Sequence, residues 1–548
     1  PRQLLGHLTL IEGLNDLKPA ILQELGTERG RAVVTYLQFA IDKGLDYNCR
    51  LNTWENTRGI VKHIFARHDF SLKWTFGEMI FTGPNSGTAW GLSQILDAYK
   101  GIAELVEPIH EHVVGGKELP VNINCGTAAH MPAIADSSMD LVCMDPPYYN
   151  NVMYAELSDY FYVWQRRTLS DLYPNVFNRR LTDKANEAVA NPVRDGSAKA
   201  AKAAYERMMG EIFAECHRVL KDDGIMTLMF THKTQEAWEA LTRSLIESGW
   251  NITASFPVES ESEESMHLKD NASAASSIFL ACRKRPEQVG FPAVWTGLGG
   301  SGVQRHIEAA VKEGLKDFAP LKLNPVDKMV ASYGRALRVL SENWPVMDGD
   351  AAVSPIRAMN EASRVVSENQ ITRITGGRIA VADLDPETAA ALTFYGIWGH
   401  GDFSFDEALN ISKSLNIALT PKSAGYRPEG RMIGINQAAS GRTARHRGAE
   451  ADETGYPAPL VRKGSKLRLA RPEERDLRRL ENPQAEWDIL HGLVMAYRRG
   501  DIPVTRAYLN EHAKDKSNRI LDLLDVWGNE SGEISLRDEA KTIRFGLR

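Results

Sequence analysis

The spacing of apolar positions changes character twice along the chain. From Glu28 to about Tyr99 it opens as helix, with Val33, Leu37, Phe39 and Ile41 around one turn, and then becomes aromatic and irregular. Trp54, Phe65, Phe70, Trp74, Phe76 and Trp90 are interleaved there with Arg58, Lys62, His63, Arg67, His68 and Lys73. Such interleaving suits a nucleic-acid face, where bases stack on rings and cations hold phosphates, or equally an aromatic core. Between Val121 and Arg285 an α/β rhythm takes over. Val121-Asn-Ile-Asn, Met139-Asp-Leu-Val-Cys-Met and Gly224-Ile-Met-Thr-Leu-Met-Phe are predicted strands, with helices over Ala198 to Leu220 and Gln235 to Ser248. Two final strands, Trp250 to Pro257 and Ser276 to Cys282, flank the acidic run Glu259-Ser-Glu-Ser-Glu-Glu, which reads as a solvated hairpin loop. Strands alternating with helices predict a doubly wound, mostly parallel sheet, here with an antiparallel edge.

After Pro286 the pattern is mainly helical, with amphipathic segments at Gln304 to Lys316, Val326 to Ser341, Ala351 to Glu368, Pro386 to Trp398, Phe405 to Leu415 and Trp487 to Arg499. A Gly- and Arg-rich interruption separates the last two; it includes Arg427, Arg431, Arg442, Arg445, Arg447, Arg462, Lys463, Lys466, Arg468, Arg471, Arg475, Arg478 and Arg479. It reads as a flexible loop or as a contact for DNA backbone. The division expected is an amino-terminal helical and aromatic segment (1–118), a catalytic core (119–285), a helical domain (286–420), a basic loop (421–480) and a helical end (481–548).

Composition narrows this only slightly. In 548 residues, 65 Lys and Arg stand against 71 Asp and Glu, a net charge of −6, with 43% hydrophobic and 25% charged residues. That balance belongs to an ordinary globular protein, and a nucleic-acid groove needs only local positive charge. The five cysteines form no C-x-x-C pair, so no zinc ribbon or disulfide framework is indicated and buried, reduced thiols are expected. No apolar run is long enough for a membrane helix and no signal segment opens the chain, so a cytoplasmic protein is expected.

Asp145-Pro146-Pro147-Tyr148 carries the chemistry. It follows directly on a predicted apolar strand, at the carboxyl end where open α/β sheets bind ligands. The exocyclic amine of adenine or cytosine is a poor nucleophile because its lone pair is delocalised into the ring. The Asp145 carboxylate and the Pro146 carbonyl can each accept one amine hydrogen and aim the lone pair at an electrophilic methyl group. Pro146 and Pro147 stiffen the turn, and Tyr148 offers a flat face to an extruded base.

Gly126-Thr-Ala-Ala-His-Met-Pro, Asp136-Ser-Ser-Met-Asp-Leu-Val and Glu215-Cys-His-Arg-Val-Leu-Lys-Asp-Asp-Gly224 surround the motif as they do in amino-methyltransferases. The chain resembles the S-adenosylmethionine-dependent DNA amino-methyltransferases. It resembles more closely a large subgroup of adenine-specific DNA methylases, through Asp145-Pro-Pro-Tyr-Tyr-Asn-Asn-Val152, Tyr154, Leu157-Ser-Asp159 and Tyr160-Phe-Tyr-Val-Trp164. Further similarity lies at Asp46-Tyr47-Asn48, Trp74 to Glu78 and Asn271 to Arg285, so the resemblance covers most of the chain. It implies a Rossmann-like methyltransferase sheet, S-adenosylmethionine as cofactor, DNA as partner, and methyl transfer to adenine N6. It assigns amine binding to Asp145 and Pro146, the turn to Pro147 and base stacking to Tyr148, with Tyr149 and Asn150 as further pocket residues. The aromatic run through Trp164 reads as helix packing. Enzymes of this kind are often associated with restriction or anti-phage loci.

One feature of the family is missing. No Gly-rich cofactor turn follows a first strand: Gly83-Pro-Asn-Ser-Gly87 lacks a preceding strand, Gly297-Leu-Gly-Gly-Ser-Gly302 follows too short a one, and Ile379-Ala-Val-Ala-Asp383-Leu-Asp385 runs into Pro386, which opens a helix. With Pro1 in place of a methionine, the expectation is the catalytic and carboxy-terminal part of a longer methylase, or one polypeptide of a split enzyme, and the cofactor-binding residues are unknown. The alternatives are a cytosine-N4, RNA or protein-amide methyltransferase, and a non-catalytic DNA-binding or assembly subunit. No metal site is expected: no H-x-E together with P-C-x-x-C, the pairing of zinc deaminases, is present, and no P-loop occurs.

Overall fold

A computed structural model describes residues 1–66, 70, 74, 76–83, 86–107, 121–232, 235–259, 276–286, 291–297, 299, 301–321, 323, 325–414, 419, 435–437, 455–463 and 466–547. The chain forms two compact units, one from residues 1–127 and 149–205 and the other from 128–148 and 206–548. The segment read as one catalytic core (119–285) is thus shared between them, because 149–205 packs with the amino-terminal helices.

The first unit is built on α1 (Arg2–Tyr47), a 46-residue helix broken at Gly26, where φ is 73°. Glycine adopts that left-handed conformation without steric cost. The chain reverses there: a Cβ on Gly30 would come within 3.0 Å of the Leu22 Cα, a contact impossible along a straight helix. Ile11 and Leu14 from one arm meet Val34, Ile41 and Leu45 from the other. A small hairpin follows, β1 (Thr53–Glu55) and β2 (Ile60–Lys62), and then α2 (Gly87–Val106) and α3 (Tyr154–Leu169). Tyr160, Phe161, Tyr162 and Trp164 of α3 pack on the α1 core, and the Tyr160 hydroxyl donates to the Leu45 carbonyl at 2.9 Å. Of the aromatics read as a core or nucleic-acid face, Phe65 packs on Phe161 and Trp90 on Tyr47, whereas Trp54 and Trp74 are exposed. Arg67, His68 and Lys73 lie outside the described residues.

Between α1 and α3 lies a buried polar cluster. Asp42 accepts from Gln38 at 2.8 Å and Gln165 at 2.7 Å, and burial pushes its carboxyl up from 3.8 to about 6 despite those bonds. The native state therefore favours the protonated acid. The stability this supplies is full below pH ~3.8 and is lost as pH rises through about 6, roughly 3 kcal/mol in all at about 1.4 kcal/mol per pH unit. Urea denaturation between pH 4 and 7 is expected to show the wild type losing about that much more stability than Asp42→Asn, whose side chain stays neutral. Parallel pH profiles for the two proteins would show that the carboxyl is hydrated.

The second unit centres on a four-stranded sheet. Its elements are β3 (Met139–Met144), α4 (Ala198–Val219), which begins in the first unit, β4 (Leu220–Phe230), α5 (Gln235–Glu247), β5 (Trp250–Glu259) and β6 (Ser276–Lys284). The order is β3-β4-β6-β5, with β3 parallel to β4 and the other neighbours antiparallel. The fold is mixed α/β, and two expectations need correction. The sheet has one parallel pair rather than a parallel majority, because β5 and β6, consecutive in the chain, pair antiparallel. Residues 121–124 form no strand: Val121 and Ile123 are exposed and no ladder partner exists among the described residues. The acidic loop after Glu259 lies outside the described residues.

Strand β4 alternates buried Met226, Leu228 and Phe230 with less buried neighbours, the period of a sheet with one deep face. Trp250 is fully buried and its indole N–H donates to the Phe213 carbonyl at 3.1 Å. The chain continues with β7 (Ala293–Val294), α6 (Val303–Phe318), α7 (Pro325–Glu342), β8 (Val346–Asp348), β9 (Ala351–Ala352) and α8 (Pro355–Thr375). Helix α7 packs on β5 so closely that a Cβ on Gly334 would meet the Ser255 Cβ at 2.2 Å.

Next come α9 (Pro386–Trp398), β10 (Phe403–Ser404), α10 (Phe405–Ser414), β11 (Ile435–Gln437), β12 (Leu460–Lys463), β13 (Lys466–Leu469), α11 (Glu486–His512), α12 (Ser517–Glu530) and α13 (Ile534–Leu547). The loop expected across 421–480 is corrected over its second half. Residues 460–463 and 466–469 are strands of a sheet ordered β10-β13-β12-β11. Several cations of this half meet carboxylates: Arg468 grips Glu474 at 2.6 and 2.7 Å, Arg471 reaches Glu533 at 2.6 Å, and Arg475 and Arg479 share Asp488, whereas Arg462 lies over the Phe405 ring and Arg478 stays exposed. Arg427, Arg431, Arg442, Arg445 and Arg447 lie outside the described residues. Cys216 and Cys282 are buried as expected of free thiols, but Cys125 and Cys143 are exposed. No helix of the described residues is long and apolar enough to cross a membrane.

Candidate functional site

The parallel β3–β4 pair brings the carboxyl ends of both strands to one side of the sheet. The register leading into β3 is set by Arg218 at the end of α4. Its guanidinium donates to the carbonyls of Met131 and Ile134, both at 3.0 Å, and to the carboxylates of Glu215 and Asp136. Glu215 in turn accepts the Met131 N–H at 2.6 Å; Arg218 and that bond hold its carboxyl down to about 2. Ser137 and Ser138 N–H groups close the loop on the carbonyls of Arg218 and Val219, both at 2.9 Å. Arg218 and Glu215 thus bring Met131 and Ile134, before the second stretch, and Asp136, at its start, together at the end of α4.

Asp145 is the first residue beyond β3. It is exposed, and among the described residues its carboxylate has no hydrogen-bond or ion-pair partner. Pro146 behind it is buried, while Pro147 and Tyr148 are half-buried. The Tyr148 ring meets Phe230 at 5.4 Å with the planes 75° apart, and Phe230 meets Trp238 at 4.9 Å and 90°. The Trp238 N–H is anchored on the His232 carbonyl at 3.0 Å. A chain of aromatic rings fixes the tyrosine against the end of β4, and such edge-to-face contacts are each worth about 0.5–1.5 kcal/mol.

The next two candidates lie on the other side of the boundary between the units, which falls between Tyr148 and Tyr149. Tyr149 has φ +57°, a left-handed conformation that is uncommon for a bulky side chain and costs of order 1–3 kcal/mol. It is held by the Ala190 N–H, which donates to its carbonyl at 2.9 Å, and by its ring, which packs on buried Tyr205 at 5.2 Å. Only 6% of Tyr149 is exposed, so its ring is engaged in packing, whereas Asn150 is exposed. Beyond them Asp159 accepts Thr182 and Lys184, and Arg194 donates to the carbonyls of Lys184, Glu187 and Val189, which fixes the excursion after the motif.

Sequence reasoning missed Thr231 and His232. They follow β4 directly, and His232 is buried at the same sheet end as Asp145. The rule that identified Asp145, chemistry at the carboxyl ends of parallel strands, points equally to them once β4 is recognised as the neighbouring strand.

None of the three cofactor-loop candidates joins this sheet. Gly87 opens α2, with Pro84 and Asn85 outside the described residues and no strand between β2 and the helix among those described. The Gly297 to Gly302 turn follows β7, a two-residue strand of a separate sheet with β8 and β9; Leu298 and Gly300 lie outside the described residues. Asp385 caps α9, accepting the Thr388 N–H at 2.9 Å and the Glu486 N–H at 2.8 Å. The described residues contain no cluster of His, Cys, Asp and Glu able to hold a metal. A cavity of about 660 Å³ in the first unit, lined by Arg2, Leu5, Leu10 and Phe81, includes no motif residue. No family model, no curated protein and no solved structure matches this chain.

Proposed function

We propose that the chain carries the amine-orienting half of a DNA methyltransferase acting on adenine N6, with S-adenosylmethionine as the donor the complete enzyme uses. The observation that carries this reading is the Asp145 carboxylate, without a partner among the described residues, at the carboxyl end of a parallel strand, backed by two prolines and followed by a braced tyrosine. A carboxylate and a neighbouring carbonyl on a stiff turn are suited to accept the two hydrogens of one amine, which localises its lone pair. Tyr148 supplies a ring for an extruded base, and a cytosine amine meets the same acceptors. In this reading β3-β4-β6-β5 is part of a doubly wound, Rossmann-like sheet, and the amine lies at the strand ends where such sheets bind ligands.

A second reading, a DNA-binding or assembly subunit without catalysis, draws on the same absence of a cofactor loop. Tritiated-methyl incorporation into unmethylated duplex DNA by the enzyme isolated from its native cells separates the two. Label in adenine N6 supports the first reading, and none supports the second. The chain by itself is expected to give no micromolar heat signal when titrated with S-adenosylmethionine in a calorimeter. A micromolar affinity would show that one of the Gly-rich turns, Gly297 to Gly302 foremost, does hold it.

A further inference from the structure

Helix α2 is an amphipathic element whose apolar side the described residues leave uncovered. Its buried positions are Gly87 and Gly91, while Leu92, Leu96, Tyr99, Ile102 and Leu105 are exposed, Leu96 at 58%. Most of a helix's stability in a protein comes from packing such a face, and contiguous exposed apolar patches mark interaction sites. The side of α2 that does pack is turned toward α1. A Cβ on Gly91 would meet the Ala40 carbonyl oxygen at 2.6 Å, and the Trp90 ring meets Tyr47 at 5.1 Å. Leu92 follows Gly91 and points roughly 100° away from it around the helix, so α1 does not cover it.

The uncovered side has the repeat of a helix–helix seam. Leu92, Leu96, Tyr99, Ala103 and Val106 follow one another at alternating steps of four and three residues, the heptad spacing that keeps a row of side chains in line along a neighbouring helix. Tyr99 meets Tyr36 of α1 at 5.8 Å, and Tyr36 meets the exposed Phe39 at 6.3 Å, so the apolar surface extends onto α1. The exposed charges beside the seam, Asp97, Lys100, Glu104 and Glu107, are net acidic, which disfavours an anionic membrane or a nucleic acid as the occupant.

We infer that this face is a homodimer interface, in which α2 pairs antiparallel with α2 of a second copy of the chain across a two-fold axis near Gly101. A two-fold contact uses one patch twice, so the patch must complement itself. This one does so in a particular register. Setting Leu96 opposite Val106 of the second copy puts Tyr99 opposite Ala103, large against small, on both sides of the axis. Lys100 and Glu107 lie on the same flank of the seam, and Glu107 keeps helical φ and ψ just beyond α2. Side chains on a helix lean toward its amino-terminus, so in antiparallel helices Lys100 of each copy leans toward Glu107 of the other. Within one copy Lys100 makes only a loose, exposed contact with Glu104 at 3.8 Å among the described residues. Shifting the pairing by one heptad, with Leu96 against Tyr99, turns the two Lys100 side chains toward each other instead, so charge selects the register. The inference stands on the helix alone and takes nothing from the methyltransferase reading.

The test is sedimentation equilibrium of the full chain and its variants. The wild type is expected to reach twice the 60.9 kDa mass of one chain at micromolar concentration. Leu96→Lys should raise the dissociation constant at least about a hundredfold, since each dimer loses two buried leucines, and should leave the helicity seen by circular dichroism unchanged, because Leu96 is outside the core of the single chain. Lys100→Glu and Glu107→Lys should each weaken self-association about tenfold, as both ion pairs turn repulsive. Mixing those two variants, or joining both changes in one chain, should restore the wild-type affinity. A wild type that stays monomeric up to about 100 µM leaves the face to a different protein and overturns the proposal. So does a dimer whose dissociation constant is unmoved by Leu96→Lys, or whose charge-reversed variants do not recover when brought together. Should Leu96→Lys fail to fold, the charge reversals, both at exposed positions, decide the question by themselves.

Discussion

On the proposed function, Asp145→Ala in the protein isolated from its native cells is expected to lower methyl incorporation into DNA by on the order of 10²–10³-fold while leaving the melting profile unchanged. Removing one preorganised acceptor or donor of a developing charge typically has that effect on kcat. Stability should be unaffected because the carboxylate is exposed and makes no bond to the described residues, so its loss leaves nothing unsatisfied. The loss should appear in kcat more than in KM for DNA, since the phosphate contacts that dominate affinity carry no part of the amine chemistry. Incorporation within threefold of the wild type would remove Asp145 from the site.

Arg475→Met is expected to destabilise the second unit by about 3–5 kcal/mol in urea denaturation, the usual consequence of leaving half of a buried ion pair behind. The Arg475 side chain has no exposed surface, pairs with the equally buried Asp488 carboxylate, and donates to the carbonyls of Tyr456 and Pro457, both at 3.1 Å. Burial and the nearby guanidinium hold His491 well below its ordinary pKa, so its neutral ring nitrogen can face Arg475 at 3.4 Å as an acceptor. Lysine should not rescue the loss, because an ammonium cannot reproduce the planar fork that reaches these acceptors together. A change below 1 kcal/mol would mean that water reaches Asp488.

Arg475 also shows where sequence reading stopped. Read locally, 455–480 is a run of arginines, and a run of arginines suggests a solvated loop or a phosphate contact. The partners that neutralise it lie farther along the chain, Glu533 for Arg471 and Asp488 for Arg475 and Arg479. Glu533 is 62 residues from Arg471, beyond any window of local pattern, and Asp488 lies across a helix boundary from Arg475 and Arg479, where the pattern alone does not show that the groups meet. Where punctuation was strong the elements were legible: β3 occupies Met139–Met144 as expected, and α9 runs Pro386–Trp398 with Asp385 as its cap. The first arm of α1 was not, since Leu4, Leu5 and Leu17 are exposed and Pro19 sits inside the helix, which blurs the apolar stripe. Residues 121–124 failed for the opposite reason: the alternation is right for a strand, but a strand exists only when a neighbour pairs with it. At the site, strand and motif together located Asp145 correctly at a sheet end, whereas Phe230, the ring partner of Tyr148, and Trp238, which backs Phe230, come from β4 and α5, and only the folded chain reveals them.

The outer edge of β3 bears on how the chain behaves in a test tube. Purified alone and concentrated, each molecule offers its neighbours a six-residue, largely apolar end strand whose outer edge pairs with no strand among the described residues, the feature from which disordered aggregates grow. The opposing force is a net charge of −6, and at 0.15 M salt charge repulsion fades over about 8 Å. Dilute solutions of low ionic strength, above the isoelectric point, are the conditions under which the isolated chain keeps longest in solution, and lysine at position 141 would extend that range by placing a desolvation penalty on every intermolecular ladder.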